Sequence, residues 1–402
     1  MMTNKQLGTP VFAESAYVSG MEVSTTLAVL IEAERLRAQG ADLVDLGAGE
    51  PDFPTPQEVK RAGERAIEEN FTRYTSTSGI APLKSAIVES LRRDFGAHYQ
   101  PSQVIVTMGG KQAIFNAMAA VLNPGDDVLI PKPYWVTFPE IARFLQTNPV
   151  YIETEANNFV LTADAVLNSI TPRSRLLILN SPSNPSGRVI GPADFQRIVE
   201  VAAEHGIWVI SDECYLQFAY PPARPFTAGE LPDELKARVM ICGSFSKTYA
   251  MTGWRIGYGL GPQPWIHSML KIQSHSTSNA NSIAQKAAIE AAAGPQDSIA
   301  EMLDEYRRRR DWLIPALNEI EGIRCAMPEG AFYAFPDVRG LLKGQIKTTN
   351  ELSSLLLERA HVVVTAGSAF GAEGYIRLSY ANSLEAIKKG VARIGELART
   401  LV

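Results

Sequence analysis

The chain has 402 residues, 46% of them hydrophobic, which is enough apolar material for two or three domains. Thirty-eight Lys plus Arg against 43 Asp plus Glu leave a net charge of −5, which removes any electrostatic reason to bind nucleic acid. Cys214, Cys242 and Cys325 form no CxxC pair, the five histidines form no HxH or HExxH pattern, and no run of about eighteen apolar residues occurs. A disulfide framework, a metal site and a membrane span are therefore unexpected, and a reducing cytoplasm is the expected setting.

The first twenty residues hold no apolar signal-like stretch. Up to about residue 55 the chain is punctuated by Gly and Pro, notably at GAGEPDFPTP (47–56), and is expected to cross between lobes rather than form a domain. Short apolar runs then alternate with longer helical stretches, the signature of a largely parallel α/β sheet. The predicted strands are QVIVTM (103–108), DVLIP (127–131), RLLILN (175–180), IWVIS (207–211) and RVMICG (238–243), with YGLG (258–261) as a further candidate. Helices are predicted over 111–122 and 192–205, and one or two long helices over 280–320. GAFY (330–333), a helix near 350–360, VVVTAG (362–367), YIRLSYA (375–381) and a closing helix follow; their different rhythm predicts a smaller α+β lobe. The expected division is 1–55 contributing to the small domain, 56–300 as the large domain and 301–402 as the small C-terminal domain. Arg307 to Arg310 form the one dense basic run; behind Asp304 and Glu305 in a helix, it reads as a solvated helical surface.

In open parallel sheets ligands bind beyond the carboxyl ends of the strands. Here the polar residues gather at that edge. Gly109, Gly110 and Lys111 follow QVIVTM, Asn184 follows RLLILN, Asp212 follows IWVIS, and Ser244, Ser246 and Lys247 follow RVMICG. One pocket is implied. Lys247 is either a surface loop lysine or a nucleophilic amine, its pKa depressed by desolvation and by Arg255 eight residues on. Ser244, Ser246 and Arg255, with the amides of Gly109 and Gly110 at a helix start, can hold a phosphate. Asp212 can pair with a ring nitrogen, while Tyr215 and Asn184 can reach a ring hydroxyl. Turn capping is the other reading of Asp212 and Asn184.

The residues AGEPDF (48–53), GGKQA (109–113), PYW (133–135), SPSNPSG (181–187), SDECY (211–215), SFSK (244–247), MTGWRIGY (251–258), GAFY (330–333) and IRLSYA (376–381) occur in order at compatible spacing. From about residue 15 to its last residue the chain resembles the class I, fold-type-I aminotransferases that use pyridoxal phosphate (PLP), and within them the bacterial aspartate and aspartate/prephenate subgroup. The resemblance implies a mostly parallel seven-stranded sheet in the large domain. It implies that Lys247 holds PLP as a Schiff base and moves the substrate proton, in a cycle that alternates PLP with pyridoxamine phosphate. It places Asp212 at the pyridine nitrogen, Tyr215 and Asn184 at the ring hydroxyl, and Trp135 against the ring. Ser244, Ser246, Arg255, Gly109, Gly110 and Lys111 fall around the phosphate. Tyr74 matches a tyrosine that reaches the neighbouring subunit's phosphate, which implies a homodimer. Arg377, with Asn184 and the Gly49 backbone, matches the clamp for the substrate α-carboxylate.

For the substrate side chain, Lys111 and Thr26 match residues that contact it in the subgroup, Lys111 at the distal carboxylate. Glu22 stands where many relatives carry a lysine, and a carboxylate there would repel a dicarboxylic substrate. The expected activity is transamination between aspartate and 2-oxoglutarate, with alanine or aromatic/prephenate transamination as the alternative and a PLP-dependent C–S lyase further off. A ligand-sensing regulator on this fold would carry an added DNA-binding domain, for which the match leaves no room.

Overall fold

A computed structural model describes residues 12–21 and 25–401, with residues 25–30 described by backbone alone. Seven strands form the main sheet: β1 (Val104–Thr107), β2 (Asp127–Pro131), β3 (Asn148–Ile152), β4 (Ser174–Asn180), β5 (Trp208–Asp212), β6 (Val239–Ser244) and β7 (Gly257–Leu260). Their spatial order is β1-β7-β6-β5-β4-β2-β3, and only β7 runs antiparallel to its neighbours. The mostly parallel seven-stranded sheet is thus as expected, with YGLG as its one reversed strand.

The strands read as continuous apolar runs because both faces are covered. Alternation with period two divides their side chains between two cores. Val104, Val106, Leu129, Leu177, Leu179, Val209, Val239 and Ile241 pack on one face, against helices that include Ala81–Phe95, Pro192–Glu204 and Ser282–Ala293. Ile105, Val128, Ile130, Leu176, Ile178, Ile210, Met240 and Cys242 pack on the other, against helices Gly110–Val121, Thr137–Phe144 and Gln263–Ser274.

Strand β3 is absent from the sequence reading. It lies at the sheet edge, opens on exposed Asn148 and contains Pro149, so it has neither the unbroken apolar run nor the donor pattern of a central strand. The 280–320 stretch resolves into two helices, Ser282–Ala293 and Asp297–Asn318, broken at Gly294-Pro295.

A third core joins Val44 and Leu46 to residues between Met302 and Ala398, and it takes in Tyr215, Phe218 and Tyr220 from the segment after β5. There Val44–Asp45 pairs in parallel with Val362–Val363, and Ile376–Ser379 lies between Thr365–Ala366 and Tyr333–Ala334 in a three-stranded antiparallel sheet.

The basic run corrects the solvated-surface reading. Arg307 and Arg308 pair with Asp304 and Glu305 on the exposed side. Arg309 and Arg310 are buried: Arg309 bonds Asp52 at 2.8 Å and Glu305 at 2.8 Å, and Arg310 donates to the Pro328 carbonyl at 3.0 Å beneath the Tyr220 ring. Successive residues turn about 100° around a helix, so four in a row cannot all face water. Among the described residues no helix is long and apolar enough to cross a membrane, and no group of three or more His, Cys, Asp or Glu is arranged to hold a metal ion.

Candidate active site

A cavity of about 530 Å³ opens beyond the carboxyl ends of β4, β5 and β6. Of the residues expected there, Gly49, Gly110, Lys111, Trp135, Asn184 and Asp212 line it, as do Tyr215, Ser244, Ser246, Lys247, Arg255 and Arg377. Gly109 stands just behind the wall as the residue before helix Gly110–Val121. Tyr74 lies outside the cavity and is 92% exposed. The side chain of Thr26 and all of Glu22 lie outside the described residues.

Lys247 is set by local capping. Ser244 ends β6 and its hydroxyl accepts from the Ser246 amide at 3.1 Å, which starts the four-residue helix Phe245–Thr248. From that helix the Lys247 amine reaches the N-terminal segment and donates to the Gly49 carbonyl at 2.5 Å. Burial is the main cause that lowers its pKa to about 8, with Arg377 and Arg255 adding in the same direction. An amine so placed is partly neutral near pH 8 and able to act as a base.

Asp212 closes β5. Its side chain is buried, and Oδ1 accepts from the Cys214 amide at 3.1 Å. Burial pushes its pKa up to about 6, against the hydrogen bonds and Lys247, which act to lower it. A carboxyl in this state is stabilised by any cation placed against it. Tyr215, in the turn that follows, has its hydroxyl 2.7 Å from that of Tyr333.

Beside these lies a cradle of donors. The first amides of a helix have no intrahelical acceptor, and those of Gly110–Val121 start at the cavity wall. Gly109 has φ +80, and a Cβ there would lie 2.6 Å from Arg255 Nη2, so glycine is required both for the turn and for the guanidinium's approach. Arg255 itself is held at φ +53, a costly conformation for a non-glycine residue, with Nη1 donating to the Thr252 carbonyl at 2.8 Å. Ser244, Ser246, Arg255 and the helix amides form an anion site.

Arg377 anchors the other end. It is 7% exposed; Nη1 donates to Asn184 Oδ1 at 2.9 Å and Nη2 to the Gly47 carbonyl at 2.8 Å, while its guanidinium stacks over Tyr333 and Phe370. Its Nε is buried with no hydrogen-bond partner among the described residues. Lys111 is a second cation of the cavity: its amine lies 5.1 Å from the Trp135 ring centroid, and burial followed by Arg255 lowers its pKa.

Several lining residues escaped the sequence reading: Asn180, Cys214, Thr365, Phe370, Asn350 and Tyr333. Asn180 and Cys214 sit at the ends of β4 and β5, where the strand-end rule would have found them. Tyr333 lies within GAFY but carries no sign of its partner, and Asn350, Thr365 and Phe370 come from a helix start, a two-residue strand and a short helical turn with no distinguishing pattern.

The profile of a family described as aminotransferase class I and II matches residues 41–394. An aspartate aminotransferase of Geobacillus stearothermophilus is 42% identical over 94% of this chain and 96% of its own. An aspartate/prephenate aminotransferase of Cereibacter sphaeroides is 43% identical over 92% of this chain and 95% of its own. Among solved structures, an aspartate aminotransferase of Rhizobium meliloti superposes with a TM-score of 0.94 at 41% identity, over 98% of this chain and 100% of that one. With similarity of this extent, and a lysine, a carboxylate, an anion cradle and a buried arginine around one cavity, the chain belongs to the class I and II aminotransferases and is a PLP-dependent enzyme of transamination.

Proposed function

We propose that the enzyme transfers the amino group of L-aspartate to 2-oxoglutarate. The observation that carries this reading is the pair of cations, Arg377 and Lys111, in a single cavity with Lys247. A dicarboxylic amino acid offers one carboxylate to each. Relatives named as aspartate aminotransferases support it.

The residues present fit PLP. The Ser244, Ser246, Arg255 and Gly110 donors suit a phosphate, the raised pKa of buried Asp212 suits a protonated ring nitrogen, and Tyr215 with Asn184 suits a ring hydroxyl. Trp135 offers an aromatic face. When bound, the cofactor supplies an electron sink that lets the Cα–H bond of an amino acid ionise. The chain's own residues do the rest. Arg377 binds the α-carboxylate through its fork, with Asn184 and Gly47 fixing the fork's plane. Lys247 Nζ, lowered toward neutrality by burial, takes the Cα proton and gives it back, acting as base and then acid at one atom. Asp212 holds the ring-nitrogen proton in place, and the apolar wall of Val136, Val364 and Phe370 limits water.

Lys111→Ala tests the substrate reading. The expected result is a fall of about 100-fold in kcat/KM for L-aspartate with little change for L-alanine, since only the distal carboxylate loses its partner. Steady-state rates with the two donors decide it; an unchanged ratio would sink the role given to Lys111. Transamination of aromatic substrates or prephenate is a second reading, supported by the aspartate/prephenate relative and by the apolar residues Val136, Val364 and Phe370 that line the same cavity. Turnover with prephenate as amino acceptor decides that one. Pyruvate release from cystathionine without an added keto acid would point to a lyase instead.

The working form in this reading is a cytoplasmic homodimer in which Tyr74 serves the neighbouring site. Its support is the placement of Tyr74: a largely exposed ring at the start of a segment, Thr75 to Ile80, that side chains of two helices hold in place. Gln285 Nε2 donates to Thr75 Oγ1 at 3.0 Å while its Oε1 accepts from the Ile80 amide at 2.8 Å, and Gln273 Nε2 donates to the Thr77 carbonyl at 2.8 Å. Light scattering is expected to give twice the chain mass. Mixing Tyr74→Phe with Lys247→Ala subunits is expected to restore parent-like cofactor affinity in one site per pair, because the Lys247→Ala chain still brings an intact Tyr74. The division into a segment 1–55, a large domain 56–300 and a small domain 301–402 belongs to the same reading, supported by the separate core around residues 302–398.

A further inference from the structure

Tyr333 has no part in the mechanism above, yet it joins three of its elements. Its hydroxyl is 2.7 Å from that of Tyr215. Its ring lies 4.5 Å from the Arg377 guanidinium, face to cation. A Cβ on Gly49, whose carbonyl accepts from the Lys247 amine, would come within 3.1 Å of the Tyr333 hydroxyl. Tyr333 is 1% exposed and sits on a strand paired to Leu378 and Ser379, the residues that follow Arg377. Phe332 packs against its ring with centroids 4.8 Å apart. Such a side chain has no freedom to turn away.

We propose that Tyr333 is a positioning residue with two separable parts: its ring seats the Arg377 fork for the substrate carboxylate, and its hydroxyl donates to the Tyr215 oxygen, so that the Tyr215 proton is aimed into the cavity. This rests on the roles of Arg377, Tyr215 and Lys247 in the proposed transamination.

The direction of the hydrogen bond follows from charge. Burial raises the pKa of both phenols and Arg377 lowers both, but the guanidinium lies 4.5 Å over the Tyr333 ring and acts most on that one, which makes Tyr333 the stronger acid of the pair and hence the donor. With its oxygen occupied by the Tyr333 proton, Tyr215 has its own O–H left to give, and donation into its oxygen makes it a stronger donor. A ring hydroxyl of the cofactor that accepts from Tyr215 is thereby made less basic. The ring of Tyr333 acts separately. The buried Arg377 has Nη1 bonded to Asn184 and Nη2 to the Gly47 carbonyl and to Thr365 Oγ1 at 3.4 Å, bonds that lie in the guanidinium plane and leave the space on its faces to be filled by other groups. Tyr333 below and Phe370 at 5.0 Å fill that space.

Two variants of the holoenzyme separate the parts. Tyr333→Phe keeps the ring and removes the hydroxyl. The expected result is a KM for L-aspartate within about twofold of the parent, with the pH midpoint of the visible absorbance change raised by about half a unit, because a weaker Tyr215 donor leaves the ring oxygen more basic. Tyr333→Leu removes both parts, and is expected to add a rise of about tenfold in KM to the same shift. A residue that only fills space would move neither the midpoint in Tyr333→Phe nor KM without a matching loss of thermal stability. An unmoved midpoint in Tyr333→Phe overturns the hydroxyl's role, and a parent-like KM in Tyr333→Leu overturns the ring's. Should Tyr333→Leu fail to fold, the Tyr333→Phe midpoint decides alone. Lys247→Ala is run beside them: if it kept a pH-responsive visible band, the transamination reading beneath the proposal would fall, whatever the Tyr333 variants did.

Discussion

Lys247→Ala is expected to lower the amino-acid half-reaction by about 10⁴-fold or more and to abolish the visible band that responds to pH. The loss is large because one atom, Nζ, has two tasks that no neighbour can assume: it anchors the cofactor and moves the Cα proton. Asp212 is nearby but is committed to the ring nitrogen in this reading, and burial holds the Cys214 thiol in its protonated form. The fold should survive. In the cofactor-free protein the buried amine, lowered to about 8 from 10.5, is a cost to stability wherever it must be charged, which means below pH 8. That cost fades as pH rises from 8 to 10.5, because the unfolded chain is then the state that binds the extra proton. Cofactor-free Lys247→Ala is therefore expected to melt above the parent at pH 7, with the gap closing toward pH 10. Differential scanning across that range checks the sign, and a rate assay with L-aspartate checks the chemistry. A variant with parent-like turnover would remove Lys247 from the mechanism.

Asp212→Asn is the second large effect: kcat is expected to fall by about 10³-fold, since an amide cannot hold a proton on the ring nitrogen and the electron sink weakens. Here too the pH dependence carries a sign. Burial raises the Asp212 pKa from 3.8 to about 6, so in the cofactor-free protein its contribution to stability is present below pH 4 and lost as pH rises through 6. Glu213 adds a similar trend, its pKa pushed up to about 7 mainly by burial, despite accepting from Thr227 Oγ1 at 2.7 Å, the Ala228 amide at 2.8 Å and Ser211 Oγ at 2.9 Å. The cofactor-free parent is thus expected to lose melting temperature between about pH 4 and 7. Asp212→Asn should show a shallower slope, retaining only the Glu213 part. Adding PLP to the parent should remove the Asp212 part as well, because a ring-nitrogen proton offsets the carboxylate's desolvation directly. Equal slopes in parent and variant would show that Asp212 ionises without difficulty in its pocket, and the carboxyl would then lose its claim to a burial-raised pKa.

Much of this was legible in the chain order of residues. Parallel strands end on one edge, so residues that directly follow apolar runs must lie together; Lys247, Asp212, Asn184 and Lys111 are brought to one cavity for that reason. Short apolar runs alternating with helical stretches likewise made the largely parallel sheet readable from the chain. What the sequence left dark are contacts between segments distant in the chain, where nothing local marks the partner. Strand β3 lacked the periodic signal because an edge strand tolerates proline and exposure. Arg309 and Arg310 looked like their exposed neighbours until Asp52, Pro328 and Tyr220 supplied the partners that make burying a cation tolerable. The Tyr333 hydroxyl meets that of Tyr215 from 118 positions away in the chain. By itself, then, the sequence determined the chemistry available at the sheet edge, because backbone direction and side-chain period are local properties. Only the tertiary structure decided which charges are desolvated and which phenol faces which cation, because burial and pairing depend on segments that meet solely in the folded chain.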